Sequence, residues 1–346
     1  MAVFSAIDFD QHEEVAFFCD NATGLKAIIA IHNTNRGPAL GGCRMWPYAD
    51  EQQAITDVLR LSRAMTYKAA MANLPLGGGK MVIIGDSHHD KTPELFRAIG
   101  RCVDQFNGRY IVGEDVGTSV EDMVAIRETT THVVGLPGGS GDPSPFTAIG
   151  VYESIRSAVA YRLGKSSLKG LKVAVQGLGH VGYHLCKLLV EDGAALIVTD
   201  LDPMLVEKVV EEFKAMAVAP QDIYGGDVDI FAPCALGAII NDETIPQLKC
   251  KIIVGSANNQ LESHAHGEIL AKMKILYAPD YVVNAGGLID VYYDGPAYNA
   301  EIVKIHVQGI HDTLLDVFKR AEERKVSTSE AADLIAEERF DKKSSL

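Results

Sequence analysis

The sequence predicts an α/β protein of two domains, and three observations carry that expectation. The chain has 346 residues, more than one hydrophobic core of ordinary size organises. Between Val134 and Pro145 it reads VGLPGGSGDPSP, where glycine and proline break both helical and strand periodicity and mark a boundary. Beyond that run, short apolar segments alternate with amphipathic ones, as in a parallel sheet covered on both faces.

Taken in order, the first domain is expected over 1–138. LKAIIAIHN (25–33) and MVIIGD (81–86) are strand patterns, and helices are expected at about 51–70 and 92–106, the second with Thr92 as N-cap and Pro93 in its first turn. RYIVGEDVG (109–117) is a strand running into a polar turn, and Thr118 with Glu121 three residues on has the spacing of a capping box. The second domain is expected over 139–326. A helix at about 147–163 leads to the strand KVAVQG, the helix HVGYHLCKLLVEDG, the strand ALIVTD and the helix DPMLVEKVVEEFKAM. VDIFAP, KIIVGSA and ILYAPDYV are further short buried strands, and two long helices, about 299–323 and 327–339, close the chain. There is no internal repeat, and Ser344 to Leu346 are expected to fray.

Composition narrows the function classes. The chain is 47% apolar and 23% charged with a net charge of −14, which argues against nucleic acid or an anionic membrane as main partner. The N-terminus MAVFSAIDFDQ has no basic stretch followed by an apolar one, so no signal peptide is expected, and no apolar run is long enough to span a bilayer. Six cysteines lack CxxC spacing and read as reduced, mostly buried side chains of a cytoplasmic protein. The eleven histidines form no ligand pair; His264 and His266 are spaced as on one face of a strand, and with no carboxylate motif beside them no metal is expected. Asn21-Ala22-Thr23 matches a glycosylation acceptor of no consequence in a cytosolic protein.

The stretch TYKAAMANLPLGGGK (66–80) carries two lysines in unusual places. Leu61, Met65 and Lys68 share one helical face, and an ammonium on an apolar stripe is costly unless a partner meets it. Lys80 follows Gly77 to Gly79, where the backbone can take positive φ and approach a ligand closely. One such lysine alone reads as a snorkelling side chain; two around one Gly-rich turn point to an anion or carbonyl site. GGGK is not a phosphate-binding P-loop, because the first glycine is missing and Met81 stands where Ser or Thr would bind magnesium. Asp115 ends a strand and is expected to aim into a cleft; on its own it could equally cap a turn.

Gly177-Leu178-Gly179-His180-Val181-Gly182 is GxGxxG, placed after a strand and opening a helix, as a dinucleotide site of Rossmann type requires. Pyrophosphate would sit at that helix N-terminus. Asp200 ends the next strand, about 20 residues on, where an acid holds the ribose hydroxyls. Leu201, Asp202 and Pro203 follow with no arginine, which favours NAD over NADP.

With these pieces in place the chain resembles the glutamate/leucine/phenylalanine/valine dehydrogenase family, nearest in pattern to its leucine-specific branch. The matching segments are GPALGGCR (37–44), MTYKAAMANLPLGGGK (65–80), GEDVGT (113–118), SPFTAIGV (144–151), VAVQGLGHVG (173–182), GSANNQL (255–261) and NAGGLIDV (284–291), in family order over nearly the whole chain. The resemblance implies NAD-dependent, reversible oxidative deamination of an amino acid to a 2-oxo acid and ammonia. It implies a substrate-binding domain and a Rossmann-type NAD-binding domain with the active site in the cleft between them, and a C-terminal helix (about 327–346) that returns to the first domain. By the same resemblance Lys68 grips the substrate carboxylate, Lys80 activates water, and Asp115 moves protons to and from the substrate nitrogen. Gly41 and Gly42 let the substrate approach, while Thr147, Asn258 and Asn284 line the nicotinamide end. A free lysine titrates near 10.4, so a base at this position needs neighbouring positive charge and desolvation to lower it.

The resemblance lines the side-chain pocket with Leu40, Met65, Gly113, Leu288 and Val291, all apolar, which disfavours acidic substrates. It places glycine at position 113 in phenylalanine-specific relatives and alanine in leucine-specific ones, whereas Val291 is the smaller residue expected for aliphatic substrates. Leucine, valine and isoleucine are the expected substrates, with phenylalanine the alternative. A non-catalytic NAD-binding sensor would not need Lys68, Lys80 and Asp115 together. A hydroxy-acid dehydrogenase would usually need a His/carboxylate pair that is absent beside these motifs. The resemblance also implies a homo-oligomer, a dimer or an octamer.

Overall fold

Glycine-bearing strands at the centre of a mixed sheet organise the first of two units into which the chain divides. The computed structural model describes residues 3–139, 141–295 and 297–341, so the fraying expected at Ser344 to Leu346 lies outside the described residues. One unit comprises Met1–Gly141, Val291–Tyr298 and Ala336–Leu346, and the other Asp142–Asp290 and Asn299–Ile335.

The first unit contains β1 (Glu14–Asp20), β2 (Leu25–Asn33), β3 (Ala39–Trp46), α1 (Glu51–Met71), β4 (Gly77–Ile84), α2 (Pro93–Asp104), β5 (Tyr110–Glu114) and α3 (Val120–Arg127). The sheet order is β1-β2-β4-β3-β5, with β2 antiparallel to β1 and β4, and β3 parallel to β4 and β5. Strand alternation splits its side chains into two layers. Ile28, Ala30 and Val82 pack with Ala54, Val58 and Leu59 of α1. Ile29, Ile31, Cys43, Met45, Met81, Ile83, Tyr110 and Val112 pack with Phe96, Ile99 and Val103 of α2 and Met123 and Ile126 of α3. Asp50 caps α1 by accepting from Gln53 N–H, and Thr92 caps α2 by accepting from Leu95 N–H at 3.1 Å; losing such a cap costs about 1 kcal/mol.

The second unit contains α4 (Ser144–Leu163), β6 (Lys172–Gln176), α5 (His180–Glu191), β7 (Ala195–Thr199), α6 (Pro203–Phe213), β8 (Met216–Ala217), β9 (Ile230–Pro233), β10 (Ile252–Ile253), α7 (His264–Lys272), β11 (Leu276–Tyr277), α8 (Asp280–Val283), α9 (Gly286–Tyr292), α10 (Ala300–Gln308), α11 (Ile310–Arg324) and α12 (Thr328–Phe340), of which α9 and α12 end in segments of the first unit. All strand pairs are parallel in the order β11-β10-β9-β6-β7-β8. The order reverses between β6 and β9, the point where an open α/β sheet of Rossmann type binds its ligand.

Several expectations are corrected. The capping box of α3 is Ser119 with Asp122, one residue later than Thr118 with Glu121, and Ser119 N–H donates to Asp122 at 2.9 Å. His264 and His266 open helix α7 instead of sharing a strand face, because Ser263 and His266 close a capping box. The expected helix over 299–323 divides at Gly309, which ends α10 and opens α11; glycine is a poor helix interior residue. In α1 the buried stripe is Ala54, Val58, Leu59, Ser62, Thr66 and Tyr67, whereas Leu61, Met65 and Lys68 are half-buried on its flank. Gly77 to Gly79 form no turn: they begin β4, are buried, and have no positive φ. No helix among the described residues is long and apolar enough to cross a membrane.

Candidate active site

Lys80 owes its position to strand register. On β4 it alternates with Gly78 and Val82, so it lies on the sheet face that α1 covers. A Cβ on Gly78 would stand 2.0 Å from Thr66 N and one on Gly77 2.0 Å from Asn33 O, so these glycines let α1 and β2 close onto β4. Gly79 faces the other layer, where a Cβ would meet the Tyr110 ring at 2.8 Å. A Cβ on Gly41 would sit 1.7 Å from Gly79 O, and one on Gly42 2.6 Å from Glu114 O and 2.7 Å from Asp115 Cβ. Gly41 and Gly42 are therefore glycines because neighbouring strands approach them.

Buried to 5% exposure, Lys80 places Nζ 2.8 Å from Asp115 Oδ2. Asp115 follows the end of β5, and Thr118 fixes its backbone: Oγ1 accepts from Asp115 N–H at 2.9 Å and lies 2.9 Å from both Cys43 O and Asp115 O. Arg44 Nε donates to the same Asp115 Oδ2 at 2.9 Å, its Nη1 reaches Asp57 Oδ2 at 3.1 Å, and Tyr48 OH donates to Asp57 at 2.6 Å. Burial alone would raise the Asp115 carboxyl; the charges of Lys80 and Arg44 outweigh it and hold the group below its usual range. Arg44, Trp46, Tyr48, Asp57 and Val116 line an open hollow beside this cluster. Leu40 on β3 pairs with Gly78 of β4 and with Ile111 of β5, and Gly42 pairs with Gly113. Lys68 and Met65 come from α1, and Val291 lies in this unit on α9.

In the second unit Gly177 takes φ 95°, and Cβ atoms would collide with Ala235 N at Gly177 (2.8 Å) and with Gly177 O at Gly182 (2.0 Å). Gly179, the N-cap of α5, has nothing among the described residues within 4 Å of its absent Cβ. Packing accounts for the outer glycines, whereas the space beside the middle one is open. Asp200 accepts from Leu178 N–H at 2.6 Å and from Asp202 N–H at 2.9 Å, tying the loop to the end of β7. His180 is exposed with Nδ1 3.1 Å from Asp142, and Val181 is half-buried behind it. Asn284 Nδ2 donates to Ser256 O at 3.0 Å and to Asn258 Oδ1 at 2.7 Å. A Cβ on Gly287 would meet Thr147 Oγ1 at 2.8 Å, so Thr147 lies where α9 begins, and Leu288 is buried one residue further on.

A family model described as Glu/Leu/Phe/Val dehydrogenase, dimerisation domain, matches residues 11–132, and one described as Glutamate/Leucine/Phenylalanine/Valine dehydrogenase matches 138–209 and 202–342. The chain belongs to the Glu/Leu/Phe/Val dehydrogenase family. It is an amino-acid dehydrogenase, an oxidoreductase that works with a pyridine nucleotide. The dehydrogenase is 53% identical over 344 residues to leucine dehydrogenase of Geobacillus stearothermophilus, covering 99% of this chain and 94% of that one. It is 50% identical over 353 residues to phenylalanine dehydrogenase of Caldalkalibacillus thermarum, covering 99% and 95%. The crystal structure of L-tryptophan dehydrogenase from Nostoc punctiforme superposes with a TM-score of 0.90 at 49% identity, covering 97% of each chain.

The residues of the dehydrogenase's second unit fit a pyridine nucleotide. Besides the open position at Gly179, three buried polar atoms (Gln176 Oε1, Thr199 Oγ1 and Asn284 Oδ1) have no hydrogen-bond partner among the described residues. Gln176 and Thr199 end β6 and β7, where the ligand of such a sheet binds. Sequence reasoning singled out neither these two residues nor Arg44 and Asp57, and it gave Thr118 only a capping role. The signal for Arg44 was available in GPALGGCR, whose arginine alternates with Gly42 along one strand.

Proposed function

We propose that this dehydrogenase carries out the NAD-dependent, reversible oxidative deamination of branched-chain L-amino acids, leucine with valine and isoleucine, to 2-oxo acids and ammonia. The observation that carries this reading is the buried Lys80 ammonium 2.8 Å from Asp115 on the sheet face that also bears Leu40 and Gly113. Lys68, half-buried on α1, binds the substrate carboxylate as a point charge. Lys80 takes a proton from the water that adds to the α-carbon and stabilises the carbinolamine oxygen. Asp115, ionised in the resting protein, accepts a proton from the substrate nitrogen and returns it to the departing ammonia. NAD, when bound, supplies the hydride acceptor. Gly177, Gly179, His180, Val181 and Gly182 form its phosphate loop, and Thr147, Asn258 and Asn284 its nicotinamide end. Asp200 would hold the ribose hydroxyls; with Asp202 two residues on, a 2′-phosphate would meet two carboxylates, which supports NAD over NADP.

Leu40, Met65, Gly113, Leu288 and Val291 form the side-chain pocket in this reading. Phenylalanine is the second reading, favoured by Gly113: among the described residues only the Val134 side chain, at 3.3 Å, comes within 4 Å of its absent Cβ. The dimerisation domain named in the family description supports a homo-oligomer, and the unpaired cysteines support a cytoplasmic site.

An initial-rate panel of leucine, isoleucine, valine and phenylalanine with NAD and with NADP tests these assignments. The highest kcat/KM is expected for leucine with NAD; a clear preference for phenylalanine would install the second reading, and no NADH from any of the four would end both. Lys80→Ala is expected to abolish turnover while leaving NAD affinity within about twofold, and a matching loss of NAD affinity would contradict the role given to Lys80.

A further inference from the structure

We propose that Arg44 is a positioning residue for the reaction, clamped between Asp57 and Asp115 so that the Lys80–Asp115 pair releases its proton at lower pH than the two would alone. The inference rests on the reading of Lys80 and Asp115 as the proton-handling pair.

The geometry is a chain of charges with one shared atom. Lys80 Nζ and Arg44 Nε both reach Asp115 Oδ2, at 2.8 and 2.9 Å. Lysine can give up its proton, whereas arginine keeps its charge at any working pH. The Asp115 carboxylate therefore keeps a cation when Lys80 is neutral, and the attraction that would hold the proton on Lys80 is divided between two donors. Asp57 holds Arg44 from the other side at 3.1 Å and is itself held by Tyr48 OH at 2.6 Å, so the guanidinium cannot swing away without leaving two half-buried carboxylates. Of the other groups, Cys43 on β3 and Tyr110 on β5 act on Asp115, Lys91 paired with Asp122 acts on Cys43, and α1, which covers this sheet face, carries Lys68. Burial pushes the Cys43 thiol and the Tyr110 hydroxyl well above their ordinary ranges, so neither titrates in the working range. Lys91 and Asp122 offset one another. Arg44 is thus the fixed charge that separates this pair from an ordinary Lys–Asp ion pair.

The test is the pH profile of kcat/KM for leucine oxidation in the full-length enzyme, compared among wild type, Arg44→Gln, Arg44→Lys and Asp57→Asn. Arg44→Gln should move the low-pH limb upward by about one pH unit, and Arg44→Lys, which keeps a positive charge, should move it by less. Asp57→Asn leaves Arg44 with Asp115 as its only carboxylate, so it should move the limb the opposite way, to lower pH. A fall in kcat with the limb unmoved in Arg44→Gln would overturn the proposal, as would a limb that moves upward in Asp57→Asn. If Arg44→Gln does not fold, Asp57→Asn decides alone: a downward limb supports the proposal, and an unmoved or upward one ends it. Turnover surviving in Lys80→Ala would instead sink the underlying reading, whereas an inactive Lys80→Ala beside an unmoved Arg44→Gln limb sinks only this inference.

Discussion

Acid should loosen the first unit through His32, and a His32→Gln variant should remove much of that sensitivity. His32 lies on β2 at 5% exposure, with Nδ1 2.9 Å from Thr66 Oγ1 on α1. Its ring meets those of His12 at 4.9 Å, Phe340 at 6.1 Å and Tyr67 at 6.3 Å. Burial and the nearby His12, with a smaller contribution from Arg63, push its pKa down from 6.5 to about 4, against the opposing pull of Asp10. The sign follows from proton counting. Between pH 6.5 and about 4 the unfolded chain binds a proton at this site and the folded chain does not, so stability falls as pH falls through that window. At about 1.4 kcal/mol per pH unit the full window amounts to roughly 3 kcal/mol, or some 6–12 °C in melting midpoint for a domain of this size. Urea midpoints at fixed protein concentration, from pH 7 to pH 4, provide the assay. Glutamine can keep a hydrogen bond to Thr66 without titrating, so the variant should lose some stability at pH 7 but follow a flatter pH curve. Part of the slope should remain, because burial also lowers the His12 pKa. A variant curve parallel to that of the wild type would refute the reasoning.

Three further substitutions test other parts of the molecule. Asp200→Ala should weaken NAD and reduce the preference for NAD over NADP, read from the ratio of the two kcat/KM values; an unchanged ratio would remove Asp200 from cofactor selection. Gly113→Ala puts a methyl group 3.3 Å from Val134 Cγ2 and should lower the phenylalanine-to-leucine ratio of kcat/KM about tenfold; an unaltered ratio would mean that position 113 does not shape the pocket. Gly78→Ala drives a methyl group to 2.0 Å from the Thr66 backbone nitrogen and should lower stability by about 3 kcal/mol, seen as an earlier urea midpoint; wild-type stability would contradict the close approach of α1 to β4.

What could be read from the sequence was what local chemistry fixes. Strand β2, with nine residues of which six in a row are buried, and the glycine fingerprint before α5 depend only on their neighbours along the chain. Strand β1 escaped because it lies at the sheet edge, paired only to β2 and nowhere fully buried, and so shows no continuous apolar run. Strand β3 escaped because Gly41 and Gly42 read as loop, although their lack of side chain serves the close packing of three strands. The short strands β10 and β11 were legible within KIIVGSA and ILYAPDYV, although the second run continues into α8, whereas the two-residue β8 is too short for any period to declare itself. The face of Arg44 was legible but its partners were not: Asp57 and Asp115 lie 13 and 71 residues away, and the packing of α1 and the pairing of β3 with β5 bring them to the guanidinium.

The same register bears on the spacing of the two lysines of 66–80, although no turn of theirs is shared. Three consecutive glycines in a buried strand forgo side-chain packing and carry an entropy cost, so a chain keeps them only where something must come close. Here α1 closes onto Gly78 at a distance no other residue allows. That contact sets Thr66, and with it the turn bearing the half-buried Lys68, over the face on which Lys80 stands two residues beyond Gly78. Replacing the glycines would therefore alter the spacing of Lys68 from Lys80 before it altered either lysine. The chemistry of the site depends on side chains, but their separation depends on positions that have none.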